Sequence, residues 1–373
     1  MKAMISRFQF YLLTINYIFG TALFVLAQRL VEQGRQDAWL MPLWGGSFAV
    51  LVGLIWILLF RYYPGRSLVQ IPLEAWGRIP GAFVSLLYFV YFCNLAGWVL
   101  LNLTNFMNGT IMPKTPKSVF HIMFLAVACY TVAQGAETIG RVNQLITPFL
   151  FFPFWLVLLL ATVEDWDWER FLPVFHSDPE DILLYHSFLG FPYMETIALT
   201  MLFPLIKRGA GRPFLLGVLS ASVSFSMILA MIIGLLGVER ASRLTFPIYT
   251  VVQEVSIGES IVNMHSIISV ILLTLIFIKL LVLVYGASET LRQVFRPNNR
   301  WSHFLALTIL LSAMAQSIYE NSIQNREWDE KYTFVYNCFF VLLIPCLLLM
   351  TTWIKSAFGK PMQRRNKGGG GIE

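Results

Sequence analysis

The sequence predicts an all-α polytopic membrane protein with ten transmembrane helices, arranged as a five-plus-five inverted repeat with broken first and sixth helices. Three observations carry that expectation. Of the 373 residues, 57% are hydrophobic and only 13% charged, with a mean hydropathy of +0.66, whereas a soluble domain carries about 25% charged residues. The apolar residues fall into runs close to the ~20 residues that cross a bilayer. The lysines and arginines gather in alternate connections between those runs.

Taken in order, the runs cover residues 8–27, 39–60, 82–105, 118–134, 142–163, 185–206, 213–238, 261–286, 301–319 and 332–354. The first follows Lys2 and Arg7 but is too long for a signal peptide and lacks a small-residue cleavage site. The third and fourth are separated only by the turn NGTIMPKTPK, and the fourth is short. The fifth ends at the acidic stretch EDWDWERFLPVFHSDPED (164–181). With the N-terminus in the cytoplasm, 17 of the 27 lysines and arginines fall on the cytoplasmic side, which places both termini there.

The longest connection, 164–184, divides the chain into halves of similar length, about 8–163 and 185–354. Five spans is an odd number, so a second set of five must sit upside down relative to the first. Residues 1–358 then form a single transmembrane domain. The basic and glycine-rich end, 359–373, is expected to be a disordered cytoplasmic tail near anionic membrane lipid.

Composition excludes several classes. The net charge of +6 comes from short loops rather than a basic patch, so no nucleic acid is expected. The four cysteines lie inside apolar runs with no CxxC, and neither HExxH nor a nucleotide-binding glycine loop occurs. No metal, cofactor or enzymatic activity is therefore expected.

The chemistry concentrates inside the membrane. The sixth run contains Gly190-Phe191-Pro192 and then Glu195 near its middle. Proline removes a backbone donor, and groups so freed are tolerated in lipid only against protein or a water-filled cavity. A carboxylate at that depth costs about 2.5–3.5 kcal/mol on insertion scales, so it faces inward. The counterpart of this break in the first run is Gly20-Thr21. Lys279 lies deep in the eighth run, beyond the reach of either surface. Either it carries a proton or a built-in positive charge, or it pairs with Glu195 to lock two helices. Tyr91, Asn94, Trp98, Asn102 and Asn105 share one face of the third run, which lines a cavity or bonds across helices. Phe19, Phe191, Tyr193 and Tyr285 flank these positions as candidate stacking groups.

The segments QDAWL (36–40), RYYPGRSLVQ (61–70), FPYMET (191–196), RLTFPIYTVVQEVSIGE (243–259) and FIKLLVLVYGAS (277–288) occur in order along the chain. Together they resemble the B-subunit family of spore germinant receptors, over about residues 5–355. That family in turn looks like the amino acid–polyamine–organocation transporters, which have the five-plus-five inverted repeat with broken first and sixth helices. The resemblance implies a germinant sensor in the spore inner membrane, working beside an A-type subunit and a lipoprotein C-type subunit. The germinant would be a small nutrient such as an amino acid, sugar or nucleoside. Gly20 and Thr21 match the first break, and Phe191, Pro192, Tyr193 and Glu195 match the second. Here Tyr193-Met194 stands where Phe-Gly is more usual. By analogy with sodium-coupled members of the fold, Lys279 supplies the positive charge between the first and eighth helices. The expected ligand site thus comprises Gly20, Thr21, Tyr91, Asn94, Phe191, Tyr193, Glu195 and Tyr285, with Lys279 and Glu195 as cation-mimicking or proton-linked groups. A proton-coupled amino acid transporter is the alternative.

Overall fold

In the computed structural model the described residues are 4–175, 182, 185–254, 264–295, 300–318 and 322–357. Helices dominate them. The first run forms α1 (Arg7–Thr21), a wider π-type turn (Ala22–Leu26) and α2 (Ala27–Gly34). Ser6 starts α1 through a capping box. The Gln9 N–H donates to its hydroxyl, and the Gln9 amide accepts from its backbone N–H. A short 3-10 turn then leads into α3 (Met41–Tyr62), so that Arg7–Tyr62 is one helical stretch of 56 residues. At 1.5 Å per residue such a stretch is more than twice the ~30 Å core of a bilayer.

The chain continues through α4 (Gln70–Trp76), α5 (Arg78–Phe106), α6 (Lys117–Ala133) and α7 (Ala136–Asp165). After the connection comes α8 (Leu189–Leu205), then α9 (Gly211–Leu236), α10 (Val238–Ala241) and α11 (Pro247–Glu254). The remainder is α12 (Met264–Phe295), α13 (Arg300–Ser317), α14 (Ser322–Lys331), α15 (Thr333–Cys338) and α16 (Ile344–Ala357). Among the described residues, six stretches are long and apolar enough to cross a membrane, and α6, α8 and residues 303–317 are shorter apolar helices. The chain is a membrane protein.

The observed helices follow the apolar runs with two kinds of departure. Amphipathic or polar pieces in the connections (α4, α11, α14) are helical although they do not span. The last run is interrupted by a π-type turn at Phe339–Leu343 between α15 and α16. Such a turn misaligns carbonyls from their usual donors. Two of them take side chains instead: Tyr88 donates to Phe340 O and Trp56 to Val341 O, each at 2.9 Å.

α1 and α12 occupy the middle of the bundle. α1 packs on α7, α9 and α12, while α12 also packs on α5, α6 and α7. Gly20 sets the closeness of the α1–α12 contact. A Cβ there would lie 2.8 Å from the Leu275 carbonyl oxygen and 2.9 Å from Lys279 Cβ. The segment just before α1 and the end of α8 are stitched together. Ile5 N–H donates to Leu205 O at 2.9 Å, and Lys207 N–H donates to Ile5 O at 3.0 Å. The tail 359–373 and residues 255–259 of the segment 243–259 lie outside the described residues.

Candidate functional site

The site begins with two interruptions of helix. At the end of α1, Thr21 has φ −128° and ψ −22°, which releases the chain into the wide turn that follows. In α8, Phe191 is extended at φ −129° and ψ 124°, before a cis bond to Pro192. Beyond the break, Met194–Leu205 winds as a 3-10 helix. Thr196 and Thr200 donate their hydroxyls to the carbonyls three residues back, Tyr193 O and Ile197 O, which suits a winding of three residues per turn.

The two interruptions face α12 at one point, where Lys279 stands. Its Nζ is 2.5 Å from Glu195 Oε2 and donates to Thr21 Oγ1 at 2.7 Å. It also lies 4.9 Å from the Phe191 ring centroid and 5.1 Å from that of Tyr17, within the range of cation–π attraction. Tyr17 in turn donates to the Glu195 backbone carbonyl at 3.0 Å. Lys279 is 0% exposed and Glu195 2%. Shielded from bulk solvent by that burial, the pair holds α1, α8 and α12 at a single locus. Gly20 makes it possible, because a larger residue would push Thr21 away from Lys279.

The remaining expected residues surround this locus at different distances. Phe191 packs edge-on against Trp98 of α5, with centroids 4.5 Å apart, so the polar face of α5 touches the break through Trp98. Tyr91 is buried and donates to Asn337 Oδ1 of α15 at 2.5 Å, with Phe340 stacked on its ring. Asn94 is half-buried and bonds neither Glu195 nor Lys279. Asn102 turns back to the carbonyl of Trp98 in its own helix. Tyr193 points the other way, its hydroxyl donating to Pro42 O at 3.0 Å while its ring fills the space left by Gly45. Tyr285 lies six residues past Lys279 on α12, about 9 Å along the axis, and is half-buried. The structure therefore brings Gly20, Thr21, Phe191, Glu195 and Lys279 together, and leaves Tyr91, Asn94, Tyr193 and Tyr285 around them.

Three contributors escape sequence reasoning. Tyr17 is one aromatic residue in a chain that is 15% aromatic, and nothing in its spacing marks it. Asn16 of α1 donates to Asn143 Oδ1 and Thr147 Oγ1 of α7, at 2.7 and 2.8 Å. Arg29 of α2 pairs with Asp329 of α14 at 3.0 Å, both nearly buried, and Thr333 donates to the other carboxylate oxygen. These last partners are 127 or more residues apart in sequence. Burial raises the Asp329 carboxyl to about 6, against the opposing pull of Arg29. Among the described residues, no group of three or more His, Cys, Asp or Glu side chains is placed to hold a metal ion.

Comparison with known proteins adds a family. The sequence pattern of the family described as Spore germination protein matches residues 4–325. Spore germination protein YndE of Bacillus subtilis (strain 168) is 23% identical over 325 residues, covering 86% of this chain and 89% of that protein. Spore germination protein B2 of the same organism is 22% identical over 346 residues, covering 92% and 94%. The crystal structure of MhsT in complex with L-phenylalanine covers 96% of this chain and 99% of its own, at 12% identity and a TM-score of 0.49. A likeness that loose carries no inference.

Proposed function

The chain belongs to the spore germination protein family, and from that premise we propose that it is the germinant-sensing membrane subunit of a spore germination receptor. It binds a small nutrient (an amino acid, sugar or nucleoside) at the membrane midplane and signals to A-type and lipoprotein C-type partner subunits in the spore inner membrane. Counting Arg7–Tyr62 as two crossings makes ten spans, read here as two inverted sets of five with both termini cytoplasmic.

The observation that carries this reading is the buried Glu195–Lys279 pair, held where two broken helices meet α12. Burying two charges is expensive, and apolar packing in their place is often as stable or more so. Intramembrane ionisable groups therefore mark functional sites by default. The pair also offers a mechanism. A zwitterionic ligand presents an ammonium to Glu195 and a carboxylate to Lys279, replacing one closed contact with two. Gly20, Thr21 and Phe191 line that position, with Tyr91, Asn94, Tyr193 and Tyr285 as the outer members of the site. Ligand shifts the receptor toward the signalling state only through its differential affinity for the open and closed arrangements.

The test is germination of spores carrying Glu195→Gln against a panel of amino acids, sugars and nucleosides, with protein abundance checked by blot. A shifted dose response to one germinant at normal abundance supports the reading. Unchanged responses to every germinant the receptor serves refute it. Saturable uptake of an amino acid into proteoliposomes under a proton gradient would favour the transporter instead.

A further inference from the structure

A second site lies far from the buried pair, at the end of the bundle where the chain's N-terminal segment meets the end of α8. A cavity of about 540 Å³ opens there between α3, α8 and α9. Its lining includes five arginines: Arg7, Arg61, Arg66, Arg208 and Arg212. Among the described residues only Arg66 of these five has a carboxylate partner, Glu74 at 2.6 Å. Arg7 donates to the Arg208 backbone carbonyl, which ties the cavity to the stitch between α1 and α8. The floor is apolar, built from Ile57 and Phe60 of α3, Phe203 and Pro204 of α8, and Leu215 of α9.

Leading away from the arginines are two exposed apolar rows. Leu51, Leu54 and Leu58 of α3 are 62%, 47% and 46% exposed, and Leu216, Leu219 and Val223 of α9 are 52%, 44% and 50% exposed. Each row repeats at the helical interval of three and four, so it forms one stripe, and α3 and α9 pack side by side. The cavity thus has a cationic mouth, an apolar floor and an apolar track along the outer surface. Four arginines crowded together without carboxylates repel one another and call for an anion.

We propose that this cavity binds an anionic phospholipid of the cytoplasmic leaflet, its phosphate among Arg61, Arg208 and Arg212 and its acyl chains along the α3–α9 track. Arginine suits a phosphate because its planar fork donates two parallel hydrogen bonds. Basic pockets between membrane helices on the cytoplasmic side are a recurrent mode of anionic headgroup recognition. The positive-inside bias puts this face in the cytoplasm. A bound lipid wedges against Phe203 and Pro204 at the inner end of α8, the helix that carries Glu195. Lipid occupancy therefore bears on the mobility of the broken span. The proposal does not depend on the germinant site.

The test uses the full chain purified in detergent and titrated with dioleoylphosphatidylglycerol or dioleoylphosphatidylcholine, with bound lipid counted by native mass spectrometry. The variants are R61Q/R212Q, the charge-preserving R61K/R212K, and a control pair on the same face outside the cavity, R78Q/R141Q. Each is checked for helix content and a monodisperse elution profile. Phosphatidylglycerol affinity is expected to fall about 30-fold in R61Q/R212Q, from two basic contributions, to fall by less in R61K/R212K, which keeps the charge but loses the fork, and to stay within about threefold in R78Q/R141Q. Equal loss in R78Q/R141Q, or equal affinity for phosphatidylcholine, would overturn the proposal. Displacement of phosphatidylglycerol by millimolar inorganic phosphate would assign the cavity to a soluble phosphate compound and overturn the lipid reading. Loss of a co-purifying partner subunit in R61Q/R212Q with lipid retention unchanged would make the face a protein contact and overturn the lipid reading as well.

Discussion

Glu195→Gln removes one charge of a pair whose other member has no solvent to turn to. Lys279 would keep the Thr21 hydroxyl at 2.7 Å and the ring faces of Phe191 and Tyr17 near 5 Å. A desolvated cation–π contact contributes about 2 kcal/mol, well below what a buried ammonium loses with its counter-charge. Removing one partner of a buried pair costs about 3–5 kcal/mol. Lys279→Met, which keeps the length of the side chain, should cost as much by stranding Glu195. The double variant Glu195→Gln/Lys279→Met strands no charge and leaves only a neutral amide buried, at about 1–3 kcal/mol, so it should return to within about 3 kcal/mol of the parent. The coupling energy of the cycle is then about 3 kcal/mol or more, at the high end for interacting neighbours. In detergent, melting followed by tryptophan fluorescence would read each single variant as about 6–10 °C lower, taking roughly 2 °C per kcal/mol for a large domain. Additive losses, with the double variant melting below both singles, would refute the reasoning, since the two side chains would then stabilise the fold independently.

Three further outcomes follow from the same geometry. Gly20→Ala places a Cβ against the Leu275 carbonyl and Lys279 Cβ, so overpacking should lower stability by about 1–3 kcal/mol, read by the same melting assay. Tyr17→Phe leaves the Glu195 carbonyl without its hydroxyl donor and should cost about 1–3 kcal/mol, while Tyr11→Phe, at a part-buried contact with Ser220, should cost less. The Arg29–Asp329 contact between α2 and α14 should depend on pH. Asp329 sits at about 6, above its ordinary value of 3.8, so the folded state holds the proton more tightly than the unfolded chain does. Its contribution is complete below about pH 4 and is lost as pH rises through 6. Hydrogen exchange in α14 should accelerate across that window, and Asp329→Asn should flatten the dependence.

Much of the fold is legible in the residues, for identifiable reasons. Apolar runs and arginine placement mark spans because the bilayer imposes both, and the helices begin and end near the expected positions. Glu195, Lys279 and the Gly190-Phe191-Pro192 break stand out because polar or helix-breaking residues at membrane depth need a purpose. Whether Glu195 and Lys279 meet is open in the sequence, and the packing of α1 on α12 through Gly20 decides it. Other features depend on contacts that periodicity cannot carry. The Asn16 cluster and the Arg29–Asp329 pair join residues remote in sequence, and the wide turn at Phe339–Leu343 leaves no compositional mark. The polar stripe of α5 is visible as a face, but its members divide among partners. Tyr91 goes to Asn337, Trp98 to Phe191, and Asn102 to its own backbone.

On the proposed reading, the Glu195–Lys279 pair is part of the sensing site and not only a lock between helices. The most direct measurement is the germinant dose response of spores carrying the double variant Glu195→Gln/Lys279→Met at normal abundance, with its fold verified by melting. A loss of response, or at least a tenfold higher threshold, is expected for one germinant of the panel. A parental dose response in that stable double variant would contradict it and leave the pair with a structural role alone.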